Sequence, residues 1–276
     1  MLRTMKTIVR TRRQFLFLFA LGVLFLNSQP SRAQGTIMTW TVDGEKREAL
    51  VFARPPTFGA KKQPLVFAFH GHGGKMLAFS QMVHIQTIWK EAIVVYPQGL
   101  IGRPVPIDTQ GLRPGWQLEA NQADGNVGNK DLDFFDAMLS TMKQKFSVDD
   151  KRIYSTGFSN GAIFSYLLWA ERSNDIAAIA VCSGSLWGSG QLPQARAILV
   201  VGGKAEPTFD IQKNSIELAR TANHATGAGQ PCGPICTFYP STSQTPVKTL
   251  IHPGGHVYKP WVPAETVKFF KANKQI

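Results

Sequence analysis

Arg152-Ile153-Tyr154-Ser155-Thr156-Gly157-Phe158-Ser159-Asn160-Gly161-Ala162 is the stretch that decides the reading. Apolar and β-branched residues from Arg152 to Thr156 predict a buried strand, and Ala162–Arg172 carries the spacing of a helix. Between them stands Gly157-Phe158-Ser159-Asn160-Gly161, a G-x-S-x-G pentapeptide. In five letters the pattern is common; with a strand before it and a helix after it, it describes a nucleophile elbow. A tight elbow of this kind lifts the serine hydroxyl clear of the sheet. It also sets the hydroxyl at a helix N-terminus, where N–H groups and the helix dipole favour negative charge.

The rest of the chain repeats that alternation. Short apolar runs at Leu65–Phe69, Ile93–Tyr96, Ile153–Thr156, Ala177–Cys182, Ile198–Val201 and Val247–Ile251 are separated by helical patterns. These patterns cover Met76–Lys90, Leu132–Phe146, Ala162–Arg172 and Ile211–Ala222, with a last helix over Pro263–Ala272. Strands apolar on both faces require cover on both sides, so a mostly parallel sheet between helices is expected. Ile37–Val42 and Ala49–Ala53 read as an N-terminal antiparallel hairpin around Asp43-Gly44. Residues 99–130, rich in Gly, Pro, Asn and Gln, form a long irregular insertion near the strand ends, where ligands bind in such sheets. No repeat or interdomain linker interrupts the pattern, and a single α/β domain over residues 34–276 is expected.

A serine at such an elbow takes its partners in the chain order serine, acid, histidine. His256, in Pro253-Gly254-Gly255-His256 after the last strand, is the expected base; His252, at that strand's end, is its rival. The acid belongs after the strand Ile198–Val201, where Glu206 is the candidate. Asp210 competes, but its position before Ile211 also suits a helix N-cap. Phe69-His70-Gly71-His72-Gly73-Gly74 leaves the strand Leu65–Phe69 as a glycine-rich loop. With the residue after the nucleophile, such a loop supplies the oxyanion donors, which assigns the N–H groups of His72 and Asn160. As a metal site His70-x-His72 lacks a third ligand. Gly73-Gly74-Lys75 fails as a phosphate loop, because Met76 stands where Ser or Thr belongs. Trp116 and Trp187 are candidate walls of a substrate pocket, with plain packing as the alternative.

Of 276 residues, 43% are hydrophobic and 17% charged, a globular composition. Six of the net +12 charges (Arg3, Lys6, Arg10, Arg12, Arg13 and Arg32) lie in residues 1–33, which hold no acid; the remainder carries +6. No Lys/Arg cluster follows, so nucleic acid is not an expected partner. Phe15–Leu26 is an apolar run of signal-peptide length, shorter than a membrane span. Ser31-Arg32-Ala33 offers a cleavage site, which leaves no span in the mature form. Thr11-Arg12-Arg13-Gln14-Phe15-Leu16 resembles a twin-arginine signal; an ordinary secretory signal and an uncleaved anchor are the other readings. An extracellular or periplasmic location is expected. Cys232 and Cys236 enclose Gly-Pro-Ile in a Gly- and Pro-rich loop, where a small disulfide and two free thiols are the alternatives. Cys182 is expected to be a buried, inert thiol.

Taken together, these residues resemble the extracellular esterase family that groups polyhydroxybutyrate depolymerases with feruloyl and acetyl-xylan esterases. The similarity is strongest from Asp131-Leu132-Asp133-Phe134-Phe135 through Val148-Asp149-Asp150-Lys151-Arg152-Ile153-Tyr154 to the elbow. The His70-Gly71-His72-Gly73-Gly74 loop and Gly254-Gly255-His256 with Trp261 complete it. The resemblance implies a single-domain α/β-hydrolase fold, a serine nucleophile and no cofactor. It implies ester substrates: plant polysaccharide esters or polyester oligomers. Two positions depart from the family. Gly202-Gly203-Lys204-Ala205-Glu206-Pro207 stands where members carry H-G-x-x-D-P, and Val257-Tyr258-Lys259-Pro260 replaces an immediate tryptophan-proline. Ester hydrolysis through an acyl-enzyme is therefore the expected chemistry. An amidase with the same triad and a non-catalytic binding protein are the alternatives.

Overall fold

A computed structural model describes residues 35–55, 59, 61–102, 106, 108–121, 129–188 and 191–275. The expected signal segment, residues 1–33, lies outside the described residues. Among the described residues ten strands form one sheet: β1 (Gly35–Val42), β2 (Glu45–Phe52), β3 (Gln63–Phe69), β4 (Ile93–Pro97), β5 (Val148–Phe158), β6 (Ala178–Cys182), β7 (Ala197–Gly203), β8 (Gln230–Gly233), β9 (Cys236–Tyr239) and β10 (Val247–His252). Their order is β1-β2-β4-β3-β5-β6-β7-β10-β9-β8. The six strands from β4 to β10 run parallel, and an antiparallel hairpin closes each edge.

Among the described residues six helices cover the sheet: α1 (Met76–Val83), α2 (Ile85–Ile88), α3 (Lys130–Lys145), α4 (Asn160–Glu171), α5 (Phe209–Ala222) and α6 (Val262–Ala272). The two-residue period of a strand splits the core in two. Phe67 and Phe69 of β3 join Phe135, Phe164 and Trp116 on one face, whereas Val66 and Ala68 join Phe79, Trp89 and Phe270 on the other. The expected Met76–Lys90 helix is two helices, because His84 takes a left-handed conformation at φ 33°. Tyr96 holds the break: its hydroxyl accepts the Ile85 N–H and donates to Gln86.

The β8–β9 hairpin is a correction to the loop read around Cys232 and Cys236. The two cysteines form a disulfide that joins its strands. Cys182 is buried, and burial pushes its thiol up to about 12. At the end of the insertion Arg47 of β2 pairs with Asp131 at 2.7 Å, both side chains fully enclosed. Asp131 also accepts the Gln117 N–H, while Gln117 accepts the Asp131 N–H in return. Removing one partner of such a buried pair costs about 3–5 kcal/mol, so the root of the insertion is firmly tied to the sheet. No helix among the described residues is long and apolar enough to cross a membrane.

Candidate active site

Five neighbouring parallel strands, β3, β5, β6, β7 and β10, end on one edge of the sheet, and each delivers a residue there. Ser159 follows β5 with φ 55° and ψ −119°, a conformation that costs an L-residue roughly 1–3 kcal/mol. Packing compels it. A Cβ on Gly157 would lie 2.2 Å from the Gly161 carbonyl oxygen, and one on Gly161 would lie 2.2 Å from the Phe69 carbonyl oxygen. Only glycine fits at either position, so strand, elbow and helix approach to backbone contact. The Ser159 N–H is held by the Cys182 carbonyl at 2.9 Å.

His256 Nε2 lies 2.9 Å from Ser159 Oγ, and its Nδ1 lies 3.0 Å from Glu206 Oε2. An ionised carboxylate only accepts, so Nδ1–H donates to Glu206 and the Nε2 lone pair faces the hydroxyl. The Phe158 ring packs against the imidazole with centroids 5.1 Å apart. The histidine side chain is 43% exposed while the Glu206 side chain is fully enclosed. Burial by itself would raise the Glu206 pKa. Four donors reverse that: His256, Ser183 Oγ at 2.8 Å, the Gly203 N–H at 2.7 Å and Gln212 Nε2 at 2.8 Å hold it at about 2. The acid is a charge fixed at one point and oriented by the protein.

Ser183 and Gln212 are absent from the sequence reading. For Ser183 there was a signal: it directly follows β6, the strand between those of Ser159 and Glu206, at the edge where such sheets bind ligands. Gln212 gave none, since one amide on a polar helix is unremarkable. Asp210 is not the N-cap expected of it. Thr208 takes that position, and Asp210 sits in the first turn of α5, its side chain 88% exposed and paired with Lys213. His252 is buried at the end of β10, where Nδ1 accepts the Gly254 N–H and supports the turn that carries His256.

His70, His72 and Gly71 pack beneath the elbow. A Cβ on Gly71 would meet Phe158 at 3.2 Å and Ser159 Cβ at 3.4 Å, so the loop lies against the serine. His70 is engaged on both sides: Nδ1–H donates to the Gly71 carbonyl at 2.8 Å and Nε2 accepts the Gly99 N–H at 3.0 Å. Burial, opposed by the Gly71 bond, lowers its pKa to about 4. His72 Nε2 meets Asp108 at 2.7 Å, and that bond from His72 lowers the Asp108 pKa. Among the described residues, the N–H groups of His72 and Asn160 have no backbone acceptor. Asn160 directly follows the serine, and His72 follows Gly71, the residue that lies against it.

Trp116 corrects the expectation of a substrate wall. It is 0% exposed, wedged among Phe69, His70 and Phe164, and its indole N–H donates to the His70 carbonyl. No ligand reaches that ring. Trp187 is half-buried in the loop after β6. It adjoins Gly188, where a Cβ would lie 2.5 Å from Glu119 Oε2 of the insertion.

With this geometry in place, the similarity to known proteins acquires meaning. The phospholipase/carboxylesterase family profile matches residues 57–211, more than half of the chain, a range that includes Ser159 and Glu206. The bifunctional acetylxylan esterase/xylanase XynS20E of Neocallimastix patriciarum is 27% identical over 173 residues. Those cover 62% of this chain, which spans only 23% of that longer protein. Feruloyl esterase C of Emericella nidulans is 28% identical over 229 residues, 77% of this chain and 79% of its own. A solved ferulic acid esterase superposes with a TM-score of 0.60 at 15% identity, covering 87% of this chain and 97% of that one. That likeness is one of fold.

Proposed function

The chain belongs to the phospholipase/carboxylesterase family of α/β-hydrolase fold, and from that premise we propose that it is an exported serine carboxylesterase acting through an acyl-enzyme on Ser159. The observation that carries the reading is the unbroken relay Ser159–His256–Glu206, with contacts of 2.9 and 3.0 Å. His256 Nε2 takes the hydroxyl proton as Oγ bonds to the acyl carbon, and the carbonyl oxygen becomes an oxyanion beside the N–H groups of His72 and Asn160. Glu206 holds the imidazole in one tautomer and offsets the charge of the imidazolium. Collapse of the tetrahedral adduct breaks the ester bond, and the departing alcohol takes the proton from His256. Water then repeats the cycle, its proton passing to His256 and on to Ser159 as the acid leaves. Every proton is accounted for by these side chains.

Acetyl or hydroxycinnamoyl esters of plant polysaccharide, or soluble hydroxyalkanoate oligomers, are the proposed substrates. The fungal feruloyl and acetylxylan esterases at 27–28% identity support the first two. Trp187 remains the candidate aromatic wall of an acyl pocket. Export rests on the apolar run and small-residue site within residues 1–33. Residues 34–276, purified, are expected to hydrolyse p-nitrophenyl butyrate and to prefer methyl ferulate or acetylated xylan over solid polyester. Absence of turnover on every ester would refute the proposal. Recovery of the full-length chain from the cytoplasm with residues 1–33 intact would refute export.

A further inference from the structure

The two N–H groups at the oxyanion position belong to residues whose side chains both reach into one segment, 108–117 of the insertion. Asn160 Oδ1 accepts the Trp116 N–H at 2.7 Å, and its Nδ2 donates to the Trp116 carbonyl at 3.0 Å. His72 Nε2 meets Asp108 Oδ2 at 2.7 Å. Asp108 in turn accepts the N–H groups of Leu112 and Arg113 at 3.2 and 3.1 Å, which curls the segment around its own carboxylate. Two more bonds tie the segment to the loop after β3: the Gly73 N–H to the Pro114 carbonyl at 2.7 Å, and the Trp116 indole N–H to the His70 carbonyl at 2.9 Å. Gly115 lies between the two donors. A Cβ there would be 2.6 Å from His72 Nδ1 and 3.1 Å from Asn160 Oδ1. The segment thus touches both residues at once.

We infer that segment 108–117 is the template that positions the oxyanion donors, with Asp108 and Trp116 as its positioning residues. The inference rests on the esterase reading, since it concerns how that site meets its transition state. The N–H at 160 opens α4 and has no intrahelical acceptor, and the N–H at 72 lies in a turn. The peptide units that carry these N–H groups are each held through the carbonyl, Ser159 O by the Ala162 and Ile163 N–H groups and Gly71 O by the Gly74 N–H, and the side-chain clasps to segment 108–117 set where the two units stand relative to each other. Donors at an oxyanion site act only within about 2.7–3.1 Å of the developing charge, and a misplacement of about 1 Å costs roughly 10²-fold. A loop that merely closed the core over Phe69 and Phe164 would need the Trp116 ring but not polar bonds to both donor residues.

Three substitutions keep both backbone donors and loosen only the clasp. Asn160→Ala removes both bonds to Trp116, Asp108→Ala frees His72, and Trp116→Phe keeps a ring but loses the bond to His70. The readouts are kcat and KM for p-nitrophenyl butyrate, and Ki for an alkyl trifluoromethyl ketone, which a serine hydroxyl converts to a tetrahedral oxyanion. Asn160→Ala and Asp108→Ala are expected to lower kcat about tenfold to a hundredfold with KM within about threefold. The ketone should weaken by the same factor as kcat/KM. Trp116→Phe should fall in the same direction by less. Unchanged kcat and Ki in the two alanine variants would overturn the inference, as would lower kcat with undiminished ketone affinity. Should Asn160→Ala fail to fold, Asp108→Ala at the outer end of the segment decides alone. A wild-type protein without ester turnover would strike the esterase reading instead, a different result.

Discussion

Replacing Glu206 with glutamine keeps the shape of the side chain and removes its charge. The carboxylate accepts four hydrogen bonds and has its pKa lowered to about 2, against 4.5 for an ordinary glutamate. A displacement of that size corresponds to about 3 kcal/mol favouring the charged native form. The side chain is fully enclosed, so water does not screen this away. The sign follows from linkage: a depressed carboxyl pKa stabilises the fold above the unfolded-state value. That contribution is lost as pH falls from about 4.5 to about 2. Glu206→Gln is therefore expected to unfold about 3 kcal/mol more easily at neutral pH, with the gap closing towards pH 2. Groups remote from Glu206 cancel in the comparison; His70, which also titrates on the acid side, is one of them. Catalysis should suffer more, with kcat on p-nitrophenyl butyrate lower by about 10⁴, the loss seen when the orienting acid of a triad becomes an amide. Urea denaturation at a series of pH values and steady-state kinetics measure both effects. A variant retaining kcat within tenfold, or a stability gap that does not narrow below pH 4.5, would refute the assignment of Glu206.

Asp210→Asn should leave kcat within about twofold, because its exposed pair with Lys213 is worth less than about 1 kcal/mol; a loss comparable to that of Glu206→Gln would exchange the roles of the two acids. Ser183→Ala removes one donor to a buried carboxylate, worth about 1.5–3 kcal/mol. It should lower kcat at least tenfold and shift the acid unfolding step up by about one to two pH units, which denaturation across pH will detect. Reduction of Cys232–Cys236, four positions apart, should cost about 2 kcal/mol and lower Tm by roughly 4–8 °C without changing kcat, as calorimetry with and without a reductant will reveal.

The parallel core was legible because β3 to β7 and β10 are apolar on both faces and the intervening helices keep their period. Chain order pointed to Glu206 and His256, and the structure brings them into line with Ser159. What escaped the sequence is what depends on contacts far along the chain. The period of Met76–Lys90 is continuous, and only the Tyr96 hydroxyl beside Ile85 marks the break at His84. Gly- and Pro-rich composition hid β8 and β9, which form because β10 offers a free edge. Trp116 looked like a pocket wall because nothing in its neighbourhood foretells that Phe69 and Phe164 enclose it. Ser183 and Gln212 matter only once four donors converge on one carboxylate, a convergence the fold creates.

The most direct test is to trap the acyl group. Wild-type protein mixed with p-nitrophenyl butyrate, quenched in acid within milliseconds and digested should give a butyrylated peptide whose modified residue is Ser159. Ser159→Ala should give no adduct and no turnover above background. Butyrate on another side chain, or hydrolysis by Ser159→Ala at the wild-type rate, would contradict the account.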